Sequence, residues 1–576
     1  MNNTLMALKP FIEKIEGYLN PLSKEHLTEI IINLAKGEPT NKRIEFLNRI
    51  AKFFPDSEDI ELKDTNLTEE IMNEIEALRE NMEERVDSIE NGSYYDDPDE
   101  WETGYYDEEP DYVSEDHLSD LKSLFDTADD LFLKNNLKEA KIVYKALFEL
   151  VAYINGLDGY VSMSDFEIRE SRARYCRCIF EIANEKVRLE ELGSAMNLDQ
   201  FTPHDELEDD PDFPLLQDII DSRSEMMDGL EDFLPVWEVY LTQKGIGSRS
   251  AMLLLEVKNR LYGIKGVAKL AREWKHRQPK GYLYWLSLLK NENDHPEIII
   301  VSLEALKNLT AGKAREKVAE YLTESGEFLN KPEKVLTGKR ERFFSNISDQ
   351  NLLNLVNEAN KQGVREAELR KVLDFFKKKD LKNDDFSSLY AKSLLMYPDL
   401  ETAFSLVKNS KCVGWSYSSS AGIVFGAVNL IFCGYSQKAD TVINLMKDYT
   451  ERRSIYSDRS SFEDEKSTTF YSEINRALNK VKLPVKKITE YFAWAEKIGK
   501  ERIEHIVSHK HRKSYTKAAE VLGALCEVYI SQRKKDNAQK LINLYYNEKF
   551  NRYPAFRREV KSVFTNSPLL MESVFL

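Results

Sequence analysis

Apolar residues recur every three or four positions along almost the whole chain, and this constrains the fold more than any other feature. Leu27, Ile30, Ile31 and Leu34 repeat in this way, and Ile44, Leu47 and Ile50 continue the pattern. Such spacing places the side chains on one face of a helix. Ser23 is suited to cap the first of these helices, and Gly37 and Pro39 to end it. The short connection makes the two an antiparallel hairpin. The strand signature, alternation of β-branched residues, is scarce. The chain reads as all-α.

The next pair is clearer. Residues 118 to 133 form one helix, Asn135 and Asn136 make the turn, and 137 to 154 form the second. Ala140, Val143, Tyr144, Leu147 and Leu150 share a face of that second helix. A small Ala140 beside a large Tyr144 suits close helix-on-helix packing. Similar pairs follow near 284–306, 314–330, 351–377, 387–408, 420–447 and 515–546. Their period is too variable for one fixed repeat, so the expected architecture is an α-solenoid, a TPR-like helical-repeat array.

At 576 residues the chain is too long for one core. Lys+Arg 81 against Asp+Glu 99 gives a net charge of −18, which disfavours general nucleic-acid binding. The most apolar run, Ala421 to Cys433, is too short to span a bilayer and reads as a buried helix. The N-terminal residues lack the pattern of a signal peptide. Five scattered cysteines, Cys176, Cys178, Cys412, Cys433 and Cys526, fit a reducing compartment, so a cytoplasmic location is expected.

One segment departs from the helical pattern. Tyr94 to Asp116 holds 11 acidic residues and no Lys or Arg, with six aromatics: Tyr94, Tyr95, Trp101, Tyr105, Tyr106 and Tyr112. Mutual repulsion and two prolines argue for a loop or disordered insertion. Its aromatics could anchor a partner, its charges could imitate nucleic-acid phosphates, or it could be a solvated loop. Charge also steps along the chain. Residues 447 to 576 carry 26 Lys+Arg and 17 Asp+Glu, leaving the remainder strongly acidic. Four regions are therefore expected: an N-terminal helical hairpin unit at 1–56, an acidic Tyr-rich linker at 57–117, a helical-repeat body at 118–446, and a basic helical C-terminal domain at 447–576.

No constellation demands catalysis. Cys176 and Cys178 form a C-x-C pair with no second pair to complete a zinc site, so they read as small core residues. His505 and His509 share a helix face and His511 follows, but Lys510, Arg512 and Lys513 surround them with positive charge. A basic helix end fits better than a metal site. The glycines at 245–247 and 414–422 resemble phosphate loops in composition only. No nucleophile, base or phosphate cradle emerges, and neither a cofactor nor a metal is expected.

Two resemblances bear on function. Residues 20 to 53, 124 to 150 and 501 to 560 resemble helical regions that accompany SWIM zinc fingers in bacterial proteins. The basic His-rich entry, Tyr515, Ala518, Ala519 and the stretch Arg552 to Arg558 carry the likeness, while the finger itself is missing. That resemblance implies a helical adaptor beside DNA-acting enzymes, with no metal or DNA role carried over. The second lies in size, the charge step and the sequence Leu445-Met446-Lys447, followed by a Ser/Asp/Arg-rich stretch. Together these resemble the protein substrate of the caspase-like CHAT peptidase in type III-E CRISPR loci. The resemblance implies a non-enzymatic regulator in antiviral defence. It would be cut once between Met446 and Lys447 by the peptidase effector complex, and would hold a sigma factor until then. The residue-level alternative is that Met446 belongs to an ordinary helix core.

Overall fold

The computed structural model describes residues 8–24, 26–28, 30–31, 53, 64–92, 111–157, 168–198, 207, 211–379, 384–415, 419–434, 436, 438–451 and 469–572. Helices form every regular element among them, and no strand occurs in the described residues. The chain divides into two compact units, Met1–Leu288 and Leu289–Leu576.

The N-terminal unit contains α1 (Leu8–Leu19), α2 (Asp64–Glu90), α3 (Glu115–Leu133), α4 (Leu137–Asn155), α5 (Arg169–Ile182), α6 (Glu185–Ala195), α7 (Leu216–Asp221), α8 (Leu230–Lys244) and α9 (Ser248–Trp274). Most of the expected first hairpin lies outside the described residues, although the Ser23 hydroxyl accepts from the His26 N–H at 3.4 Å. The α3–α4 pair forms as the spacing predicts. Asn135 turns the chain with φ +68°, and Ala140 and Tyr144 are both buried. The Tyr144 hydroxyl donates to Asp129.

Two features differ from the linker expected at 57–117. First, α2 occupies 27 of those residues and buries Ile71, Ile75, Leu78, Met82 and Val86. Its apolar face repeats at four, three, four and four, while glutamates crowd the opposite face and mask the stripe. Second, the end of the acidic insertion is structural. Val113 is buried, and the Ser114 hydroxyl accepts from the His117 N–H at 3.3 Å while the His117 ring accepts from the Ser114 N–H at 3.4 Å. This reciprocal cap starts α3, with Glu115 and Asp116 at its positive end.

The helix Lys280–Asn291, α10, contains the position at which the units divide. The C-terminal unit continues with α11 (His295–Asn308), α12 (Lys313–Phe328), α13 (Pro332–Ser345), α14 (Asp349–Lys361), α15 (Arg365–Phe376), α16 (Asp384–Met396) and α17 (Leu400–Val407). Each of α11 to α16 packs on the next, as short connections require. Then come α18 (Ser420–Phe432), α19 (Asp440–Thr450), α20 (Phe470–Leu478), α21 (Val485–Ser508), α22 (Tyr515–Ser531), α23 (Lys535–Ile542), α24 (Pro554–Asn566) and α25 (Pro568–Met571). Helix α18 is the expected buried helix, with every residue from Ala421 to Leu430 inaccessible. Helix α22 packs against α18, α19, α21 and α24, and is buried at every position from Val521 to Ile530.

One hydrophobic cluster runs from Leu336 to Leu570 and includes Leu445, Met446, Tyr449, Phe470 and Ile474. The boundary drawn at 446/447 therefore falls inside a core. A step in net charge does not mark a step in packing, because apolar residues from both segments pack in one cluster.

Candidate functional site

The turns between helices in the C-terminal unit enclose a cleft of about 670 Å³. Gly363, with φ +70°, ends α14 and redirects the chain into α15. This left-handed geometry suits a residue without Cβ. Arg365 and Arg370 enter the cleft from α15, Arg476 from α20, and Lys480 from just beyond it. Pro398, between α16 and α17, and Ala477 complete the wall.

A buried carboxylate organises these cations. Glu473, on α20, lies 3.1 Å from Arg365 Nε and 2.6 Å from Arg476 Nη2. It also accepts from the Asn360 side chain at 3.2 Å. Arg365 donates a further bond to the Met396 carbonyl at 2.7 Å. Burial pulls the Arg365 guanidinium below its ordinary value, with Glu473 opposing that trend. Arg370 donates to the Tyr397 hydroxyl at 3.1 Å. Lys480 is exposed and forms no ion pair among the described residues. With Glu366 at the rim, four cations face two carboxylates, which leaves the cleft positive inside an acidic protein. No aromatic ring among the described residues lines it.

A second cleft, of about 820 Å³, lies in the N-terminal unit between α4, α5 and α6. There the Arg172 guanidinium sits between the rings of Phe148 and Phe213, at 4.5 and 4.1 Å. Lys141 pairs with Glu191 at 2.7 Å. Cations and carboxylates are balanced along its walls, so it lacks the positive surplus of the first cleft.

The histidine cluster is brought together. The His505, His509 and His511 rings have centroids 4.4 to 6.0 Å apart, and His509 Nδ1 donates to the His505 carbonyl at 2.8 Å. Burial, and then His509 and His511, lower the pKa of His505. No group of three His, Cys, Asp or Glu side chains among the described residues is placed to hold a metal ion. Cys176 and Cys178 are buried, and burial pushes both thiols up to about 12, so they are protonated and inert at neutral pH.

The expected cleavage site lies elsewhere in the C-terminal unit. Met446 is 0% exposed, and a Cβ added at Gly426 of α18 would stand 2.8 Å from its sulfur. The Met446 carbonyl accepts from the Thr450 hydroxyl at 2.8 Å, and the Lys447 carbonyl from the Glu451 N–H at 2.8 Å. Lys447 itself is exposed, with Nζ 5.4 Å from the Tyr471 ring centroid. Met446 therefore sits in the packed C-terminal part of α19, where Met446 and Tyr449 both face the core. Of the aromatics expected to bind a partner, Tyr94, Tyr95, Trp101, Tyr105 and Tyr106 lie outside the described residues. Tyr112 is half-buried beside the α3 cap.

No protein-family model matches the chain, and none of the curated proteins matches it in sequence. Among the described residues, no helix is long and apolar enough to cross a membrane. Sequence reasoning missed the cationic cleft because Arg365 and Arg476 come from distant helices. No short motif encodes a site that only the packing of α14, α15 and α20 assembles.

Proposed function

We propose that this chain is a non-enzymatic regulatory protein, a TPR-like array of helical pairs that acts by holding a partner. The observation that carries the reading is the cationic cleft, whose four cations come from two separate stretches of chain, α15 and the end of α20, and outnumber the two carboxylates beside them. Such a surface recruits a negatively charged partner and fixes its register. The resemblance to the type III-E substrate makes a sigma factor and the CHAT peptidase complex the partners to test.

Cleavage between Met446 and Lys447 enters this reading as a gated event. A peptidase needs an extended segment, and here the last turn of α19 must open first. Exposing Met446 and Tyr449 costs roughly 1.5–3 kcal/mol each. Cutting therefore depends on the effector complex prising that turn open. Because the core continues beyond the cut, the two pieces stay associated until the unit unfolds.

Native mass spectrometry with the sigma factor tests the holding role. The expected result is a complex that weakens with salt and is lost in Lys480→Glu. Intact-mass spectrometry after incubation with activated peptidase tests the switch, with one slow cut after Met446 as the expected result. Absence of both complex and cut would sink the proposal.

A further inference from the structure

We propose that the cationic cleft recognises a phosphate monoester, carried as phosphoserine or phosphothreonine on a polar segment of the partner. The inference rests on the cleft being the partner site and names the group that it reads.

Charge matching is the first argument. Arg365, Arg370, Arg476 and Lys480 outnumber Glu366 and Glu473 by two, and Asp374, which also acts on Arg370, is itself paired with Lys377 at 3.2 Å. A phosphorylated side chain carries about −1.5 to −2 at pH 7, whereas one carboxylate supplies half of that. Donor geometry is the second. Glu473 already uses the inner edge of the cluster, taking Arg365, Arg476 and Asn360. Arg370 and Lys480 stand on different elements and open to the same cavity. A tetrahedral group with three acceptor oxygens can meet donors arriving from several directions, while a planar carboxylate satisfies one fork.

The lining supplies the third argument. Gly363, Val364, Ala367, Pro398 and Ala477 are small or aliphatic, and no aromatic residue is among the described lining residues to stack on a nucleobase or a tyrosyl group. The anion itself, on a short aliphatic stem, is what the walls can grip. At about 670 Å³ the cavity has room for the phosphorylated side chain and its flanking backbone.

Calorimetry on the full chain tests this with four probes: the blocked pentapeptide Gly-Gly-phosphoserine-Gly-Gly, its unphosphorylated form, its glutamate analogue, and inorganic phosphate. The expected result is that the phosphopeptide binds at least about tenfold tighter than the glutamate peptide, as a charge-assisted contact requires. Lys480→Gln and Arg370→Gln should each weaken it by about tenfold while leaving the melting temperature in place, since both side chains are exposed. Inorganic phosphate binding as tightly as the phosphopeptide would support the phosphoryl site but assign it to a free ion. Equal binding of the glutamate peptide would overturn the phosphoryl assignment and leave the holding role intact. A sigma-factor complex lost in Lys480→Glu, with no phosphopeptide binding, would do the same. Phosphopeptide binding unchanged in both glutamine variants would also overturn it. Failure of every probe, together with no complex, would remove both readings.

Discussion

Both units bury a carboxylate against the start of a helix from elsewhere in the chain, yet the two devices carry different loads. In the N-terminal unit, Glu256 on α9 accepts from the Leu216 and Gln217 N–H groups at 2.8 and 2.7 Å. It satisfies two donors of α7, a helix of six residues. In the C-terminal unit, Glu527 on α22 accepts from the Thr441 and Val442 N–H groups at 3.0 and 2.9 Å. It also accepts from the Ser567 hydroxyl at 2.6 Å, and Ser567 in turn caps α25. One carboxylate therefore ties α19, α22 and the C-terminal helices together. The same chemistry tethers one short helix in the first unit and joins three stretches of core in the second.

The widest test of this contrast is a charge placed in the core that Glu527 secures. Met446 lies on α19 at 0% exposure, against Gly426 and the cluster beyond. Met446→Glu introduces a carboxylate with no partner at a position already in close contact. An unpaired buried charge of this kind costs roughly 3–5 kcal/mol, a large share of the stability of one domain. The expected outcome is loss of hydrogen-exchange protection across α18, α19 and α22, with α3 and α4 unchanged. Retained protection in α19 would show that Met446 is accessible in solution and would leave the Met446–Lys447 bond open to a peptidase without unfolding of the core.

How much of this was readable beforehand depends on the kind of information. The α3–α4 pair and the buried α18 were legible because their apolar spacing is local and uninterrupted. Helix α2 had the same spacing at Ile71, Ile75, Leu78, Met82 and Val86, but its glutamates made the region look like part of the acidic linker. The two capping carboxylates left a trace as well: Glu527 stands alone in Ala-Leu-Cys-Glu-Val-Tyr-Ile, and Glu256 follows three leucines. A solitary charge in an apolar run must find donors if it is buried. Its partners, about 40 and 86 residues away, could not be read from the run itself. The cationic cleft was illegible for the same reason, since nothing near Arg365 in sequence names Glu473 as its counterion.

Removing each cap sharpens the comparison by a smaller step. Glu527→Ala leaves two N–H groups and the Ser567 hydroxyl without an acceptor, and adds a cavity in the most enclosed part of the core. Glu256→Ala leaves two N–H groups at a short helix that is partly open to water. Unsatisfied buried groups cost about 1–3 kcal/mol each, with relaxation recovering part of the sum. The expected losses are roughly 4 kcal/mol for Glu527→Ala and roughly 2 kcal/mol for Glu256→Ala, read as shifts in guanidinium midpoint. Equal shifts would show that Ser567 and the C-terminal helices add nothing to the second device.

The last expected effect concerns protons and separates burial from hydrogen bonding at Glu256. Burial raises this carboxyl from an ordinary 4.5 to about 7, against the opposing pull of the Leu216 and Gln217 N–H groups. Below 4.5 the folded and unfolded chains both hold the proton, so the group has no effect on the pH dependence. Between 4.5 and about 7 the folded state keeps a proton that the unfolded state has released, and stability falls as pH rises through that window. Above it both forms are ionised and the loss is complete, amounting to roughly 3 kcal/mol. Glu256→Gln cannot ionise, so the N-terminal unit of that variant should lose most of this slope, followed by hydrogen exchange in α7 and α9 at pH 5 and pH 7.5. Burial raises Glu527 in the same direction, so the C-terminal unit should keep its own slope in the variant. A wild-type N-terminal unit that gains stability from pH 5 to pH 7.5 would mean that the two N–H donors outweigh desolvation, and that Glu256 works as a charged cap.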